Sequence, residues 1–163
     1  MSIEEATKNN VIDIHSKGGY PSCALSNFAE YEFYVDGVKC SSMEGFLQSL
    51  KFRSAKKQKQ ICLLSGINAK NASRRTFAHF RWRITHRLYW QGKPVNRFSD
   101  EYHTLLDSAY NELAKNKEFR RALENSANCK LIHSIGKSDT RKTILTEYEF
   151  VSRLTRIRDN LTK

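Results

Sequence analysis

Ser41-Ser42-Met43-Glu44-Gly45-Phe46-Leu47-Gln48-Ser49-Leu50-Lys51-Phe52 is the stretch on which the reading of this chain turns. It predicts a short helix built mostly from apolar residues, with three different polar side chains set into it. At about 100° per residue, Glu44, Gln48 and Lys51 fall within roughly 60° of one another and share a face. A rise of about 1.5 Å per residue puts the Glu44 and Lys51 backbones roughly 10 Å apart, too far for the usual i,i+4 surface ion pair. The spacing leaves room for something between them.

Immediately upstream, Tyr31-Glu32-Phe33-Tyr34-Val35 and Val38-Lys39-Cys40 flank Asp36-Gly37. Asp-Gly supplies the positive φ angles of a type I′ turn, so a β-hairpin is predicted that delivers the chain into the helix. Ser41 and Glu44 have the Ser-x-x-Glu spacing of a capping box, which gives Glu44 a purely structural reading beside any chemical one. That reading leaves Lys51 without employment. Further back, Val11 to His15 alternates as a short strand, Gly18-Gly19-Tyr20-Pro21-Ser22 breaks it, and Leu25-Ser26-Asn27-Phe28 follows.

Downstream, Ala55 to Leu64 reads as a basic amphipathic helix with Gly66 as its C-cap and Lys56, Lys57 and Lys59 on a solvated face. Ile67 to Trp90 interleaves basic and aromatic residues, among them Lys70, Arg74, Phe77, Phe80, Trp82 and Arg83. Two readings stay open: phosphate contacts with ring stacking, or core aromatics with arginines snorkelling to water. Trp90 to Pro94 reads as a turn. Ser99 caps a helix with Tyr102, Leu105, Leu106, Ala109, Tyr110 and Leu113 on its apolar face, and a further helical stretch follows Asn116. Lys130 to Ile135 reads as a strand and Ile144 to Leu161 as a packing helix. Gly136-Lys137-Ser138 is not a P-loop, because Leu131 stands where that motif requires glycine. The pattern predicts an α+β fold, mostly helical with a small β-hairpin and short sheet, as a single domain over residues 11–163 after a flexible N-terminus at 1–10.

The 28 Lys and Arg against 17 Asp and Glu give a net charge of +11, which points to a polyanionic partner. No apolar run of about 18 residues and no signal-peptide order occur, which predicts no membrane partner and a cytoplasmic, intracellular location. The four cysteines and five histidines lack zinc spacing, so reduced thiols, no metal and no cofactor are expected.

Three blocks together resemble the NADAR family: Leu25-Ser26-Asn27-Phe28-Ala29, the Asp-Gly hairpin, and Ser42 to Phe52, whose family pattern is S-x-E-H-x-F-Q-x-x-K-F. Two departures stand out. Gly45 replaces the usual His, removing a possible ring contact, and Lys137 to Thr146 replaces a Trp-Gly and glycine-rich segment. The resemblance implies an N-glycosidase that cleaves the bond between a base and a phosphorylated ribose, with an ADP-ribose-type or ribosyl-phosphate ligand as partner. Lys51 would be the amine that forms a Schiff base and Glu44 the acid or base. Gln48 would bind a ribose hydroxyl or the base edge, Ser26, Asn27 and Phe28 would hold the ligand, and the arginines and Lys137 would meet phosphate, with Asp139 as a second carboxylate. The positive charge favours ADP-ribosylated guanine in DNA or RNA as substrate. Riboflavin-pathway intermediates are the alternative substrate class, and a non-catalytic ADP-ribose or nucleic-acid binding module is the alternative to an enzyme.

Overall fold

A computed structural model describes residues 10–163; residues 1–9, which belong to the expected flexible N-terminus, lie outside it. The elements run β1 (Val11–Asp13), α1 (Ser22–Leu25), β2 (Phe33–Val35), β3 (Val38–Cys40), α2 (Met43–Ser49), α3 (Ala55–Cys62) and α4 (Gly66–Arg74). They continue with α5 (Phe77–Thr85), β4 (Arg87–Trp90), β5 (Lys93–Asn96), α6 (Asp100–Leu113), α7 (Lys117–Asn125), β6 (Lys130–Ile132) and α8 (Glu147–Leu161). The class is the α+β one expected, with helices dominant and the strands in three two-stranded pieces.

β2 and β3 form the anticipated hairpin, with Asp36 at φ 47° and Gly37 at φ 80° in its turn. Trp90 to Pro94 turns as expected, at Gln91-Gly92, and is the tip of a second hairpin between β4 and β5. Gln91 at φ 49° and Gly92 at φ 82° repeat the same turn geometry. Pro94 is tolerated there because β5 is an edge strand, where a missing N–H costs little. β1 and β6 pair in parallel, Val11 opposite Lys130 and Asp13 opposite Ile132.

The cap of α2 differs by one residue from the expectation. Ser42, not Ser41, is the N-cap, its Oγ accepting from the Gly45 amide at 2.9 Å and donating to the Leu64 carbonyl at 2.7 Å. The Ser41–Glu44 capping box therefore does not form, and the Glu44 carboxylate is released from the helix end. Gly45 faces away from the site. A Cβ there would meet the carbonyl oxygens of Leu64 at 2.6 Å and Ile61 at 2.9 Å, so glycine is what lets α2 lie directly on the end of α3. The expected loss of a ring contact at the ligand site is thus corrected: position 45 points into the α2–α3 packing. Gly66 keeps a positive φ of 54° but opens α4, while Leu63 is the C-cap of α3.

One buried apolar cluster reaches from Ile12 on β1 to Ile157 on α8, with Phe46 of α2 edge-on to Trp90 at 5.1 Å. The interleaved segment divides between its two readings: Trp82, Leu88, Tyr89 and Trp90 are buried, whereas Phe77 and Phe80 are exposed. Two polar devices stiffen the frame. Gln58 of α3 reaches the carbonyls of Ser49, Phe52 and Tyr89 at 2.7–3.1 Å and accepts from the Gln91 amide at 2.9 Å. Arg97 clasps Glu149 with two hydrogen bonds of 2.6 and 3.1 Å in the interior, and Glu149 completes the capping box of α8 with Thr146.

Candidate active site

The polar face of α2 opens onto a cleft of about 980 Å³ walled by the 26–28 loop, α4, α5 and the segment that follows β6. The loop is fastened to the helix by the Glu44 amide, which donates to the Asn27 carbonyl at 2.9 Å. From the other side, Tyr110 of α6 donates its hydroxyl to Asn27 Oδ1 at 2.8 Å, which turns the Asn27 amide nitrogen outward as a donor. Ser26 Oγ accepts from the Phe28 amide, and the Lys70 ammonium lies 5.9 Å from the centre of the Phe28 ring.

Glu44, Gln48 and Lys51 do share a face, but Gln48 occupies the space between the other two. Its Nε2 donates to Glu44 Oε1 at 2.8 Å and its Oε1 accepts from Lys51 Nζ at 2.8 Å. Ser73 Oγ donates to the same Gln48 oxygen at 2.6 Å. Both lone pairs of that oxygen are then engaged, leaving a single Nε2 hydrogen for a ligand. Lys51 follows the end of α2 and is buried, with 5% of its surface exposed. Besides Gln48, its ammonium is held by Ser73 Oγ at 3.2 Å and His79 Nδ1 at 3.0 Å, three acceptors for three protons. Arg81 fixes the backbone beneath by donating to the Lys51 carbonyl at 2.9 Å while stacking over Tyr89.

Burial lowers the Lys51 pKa from 10.5 to about 8; the positive charges of Arg83 and Lys137 add to the shift and Glu44 opposes it. Burial raises the Glu44 carboxyl above its ordinary range, against the Gln48 hydrogen bond and the charges of Lys51 and Lys70. His79 is pushed down by burial and by the Lys51 charge, which keeps its ring neutral and able to accept. The arrangement joins a carboxyl of raised pKa to an amine of lowered pKa through one amide, inside a cationic cleft. Chemically it combines an acid with a nucleophile.

Of the residues singled out from the sequence, Ser26, Asn27, Phe28, Glu44, Gln48, Lys51 and Lys137 all line the cleft. Asp139 is not among the lining residues. Its carboxylate turns back on its own loop, accepting from the Arg141 amide at 2.9 Å, a contact that lowers its pKa against a small desolvation cost. Sequence reasoning missed Ser73 and His79, which lie 22 and 28 residues beyond Lys51 with no spacing to announce them. Among the described residues no cluster of His, Cys, Asp and Glu is arranged to hold a metal ion, and no helix is long and apolar enough to cross a membrane.

This frame is that of a known fold: the NMR structure of the E. coli protein YbiA superposes with a TM-score of 0.56 over 93% of this chain and 84% of that one, at 18% identity. By sequence, the chain belongs to the bacteriophage protein GP30.3 family, whose profile matches residues 19–159. It is 43% identical over 152 residues to an uncharacterized 17.1 kDa protein from the Gp30–rIII intergenic region of Enterobacteria phage T4, covering 92% of this chain and 98% of that protein.

Proposed function

We propose that the protein is an N-glycosidase that hydrolyses the bond between a base and a phosphorylated ribose, with ADP-ribosylated guanine in nucleic acid as its substrate class. The observation that carries this reading is Lys51: a buried amine with a pKa of about 8, facing a cleft of cations and linked through Gln48 to a carboxyl of raised pKa. The resemblance of residues 25–29 and 42–52 to the NADAR pattern, on a YbiA-like fold, supports the same chemistry.

In this reading the neutral Nζ of Lys51 attacks C1′ of the ribose. The C1′–base bond breaks, and the base leaves with a proton from Glu44. The secondary ammonium so formed returns one Nζ proton to the Glu44 carboxylate, and as the C1′–O4′ bond breaks the second passes to O4′, leaving the Nζ=C1′ Schiff base. Water then adds to C1′, and cleavage of the C1′–Nζ bond restores the lysine. Asn27 offers a donor to a ribose or carbonyl oxygen, Phe28 a ring face to the base, and Lys70, Arg83 and Lys137 countercharge for phosphate.

The test incubates the protein with a guanine-ADP-ribosylated oligonucleotide and, separately, with pyrimidine ribosyl phosphates of the riboflavin pathway. Base release from the first and not the second is expected. Borohydride should trap a covalent adduct with wild type and none with Lys51→Ala. Saturable binding with no base release from either substrate would replace the enzyme by a binding module.

A further inference from the structure

The positive charge of this chain is concentrated in one span of its sequence. Between Gly45 and Ser99 the sequence carries thirteen Lys or Arg and not one Asp or Glu, whereas the remaining residues are close to balance. That span folds into α3, α4, α5 and the β4–β5 hairpin. On its surface α5 exposes Phe77, Phe80 and Ile84 at 73%, 61% and 63%, an apolar stripe at i, i+3 and i+7 on a helix that sends His79, Trp82 and Arg83 into the cleft. The Phe77 and Phe80 rings lie 6.5 Å apart, and the Arg81 guanidinium is 6.0 Å from the Phe77 centroid. Arg75 and Arg87 flank the stripe at either end of the helix, both exposed and neither lining the cleft.

We infer that the exposed face of α5 is a binding platform for single-stranded nucleic acid, with Phe77 and Phe80 stacking unpaired bases and the surrounding arginines following the phosphates toward the cleft. Charge complementarity selects the occupant. A second copy docking through this face about a twofold axis would set two surfaces free of acidic residues against each other. A duplex offers phosphates but keeps its base faces stacked inside, leaving the two rings unused, while a single strand satisfies both features. The inference rests on the glycosidase reading only for what the strand carries; binding itself needs no modified base.

The test measures fluorescence anisotropy of a labelled, unmodified oligodeoxynucleotide of about a dozen nucleotides, single-stranded and annealed to its complement, over a salt series. The single strand should bind more tightly than the duplex. Phe77→Ala/Phe80→Ala should weaken single-strand binding at least about fivefold, the lower limit for removing one stacked base. Arg75→Glu/Arg87→Glu should weaken both forms and flatten the log–log salt dependence by roughly 0.7 for each single-strand phosphate that the substituted arginines no longer neutralise. All four substituted side chains are exposed, and circular dichroism checks that the variants fold as wild type does. Equal affinity for single strand and duplex, wild-type affinity in the ring variant, or stronger capture by phosphatidylserine-containing vesicles than by the oligonucleotide would each overturn the platform. Because the oligonucleotide carries no scissile group, a missing glycosidase activity would leave this result untouched. Conversely, an active enzyme whose ring variant binds and cleaves the modified strand as wild type does would lose the platform alone.

Discussion

A lysine held at a pKa of about 8 leaves a signature in stability that needs no substrate. In the unfolded chain Lys51 returns to its ordinary 10.5, so between these two values the unfolded state holds a proton that the folded state has lost. Stability therefore rises with pH across the window, and below it the fold carries the cost of an ammonium in an apolar setting. Lys51→Met removes that titration while keeping most of the volume. Integrating the linkage from pH 7 to pH 10 with these two pKa values gives a gain of roughly 2.5 kcal/mol for wild type relative to the variant. Taking the difference between the two proteins cancels other alkaline titrations, including those of Tyr102 and Tyr110, whose burial raises their pKa values and acts in the opposite sense. The assay is urea unfolding at intervals of pH, followed by the fluorescence of the buried Trp82 and Trp90. A difference that stays flat from pH 7 to 10 would refute the reasoning, because it would mean that Lys51 keeps an ordinary pKa when folded. In the proposed reaction the same titration would set the supply of nucleophile, about a tenth of the lysine being neutral at pH 7 and about nine-tenths at pH 9.

Glu44→Gln should abolish base release without loss of urea stability, since it removes a buried carboxyl and keeps an oxygen for Gln48; it should also move the Lys51 titration downward, because the carboxylate that raises it is gone. Gly45→Ala should cost about 1–3 kcal/mol in the same unfolding assay, because it forces a Cβ against the backbone oxygens at the end of α3. Glu149→Gln should lower stability at neutral pH by several kcal/mol, on the order of 3, by leaving Arg97 buried without its anion. It should also flatten the acid limb. Burial alone would raise the wild-type carboxyl, but the hydrogen bonds from Arg97 and Thr146 and the charge of Arg97 together outweigh it and hold it below 4.5, so the stability it gives is present above that pH and drains away as pH falls further, a contribution the variant lacks.

The local part of the fold was legible because its signals are short-range. Asp36-Gly37 fixed the first hairpin, and Ser99 and Asn116 marked the starts of α6 and α7. The second hairpin escaped because Gln-Gly is a weaker turn signal than Asp-Gly and Pro94 argues against a strand. Two adjacent serines, either able to cap, explain the one-residue shift at α2. The pairing of β1 with β6 joins residues more than a hundred positions apart and has no local cause. In the cleft, the common face of Glu44, Gln48 and Lys51 follows from helix periodicity alone. That Gln48 fills the interval, and that Ser73 and His79 complete the cradle of Lys51, depends on how α4 and α5 pack back across α2.

The amide of Gln58 has a consequence for how the amine works. By tying the backbone on both sides of Lys51, at Ser49 and Phe52, to the β4–β5 hairpin, it denies this lysine any swing of its main chain. In the proposed reaction an incoming sugar would meet an amine whose position was settled during folding. The ordering entropy is spent before the encounter, and adjustment falls to the ligand and to the side chains of the opposite wall.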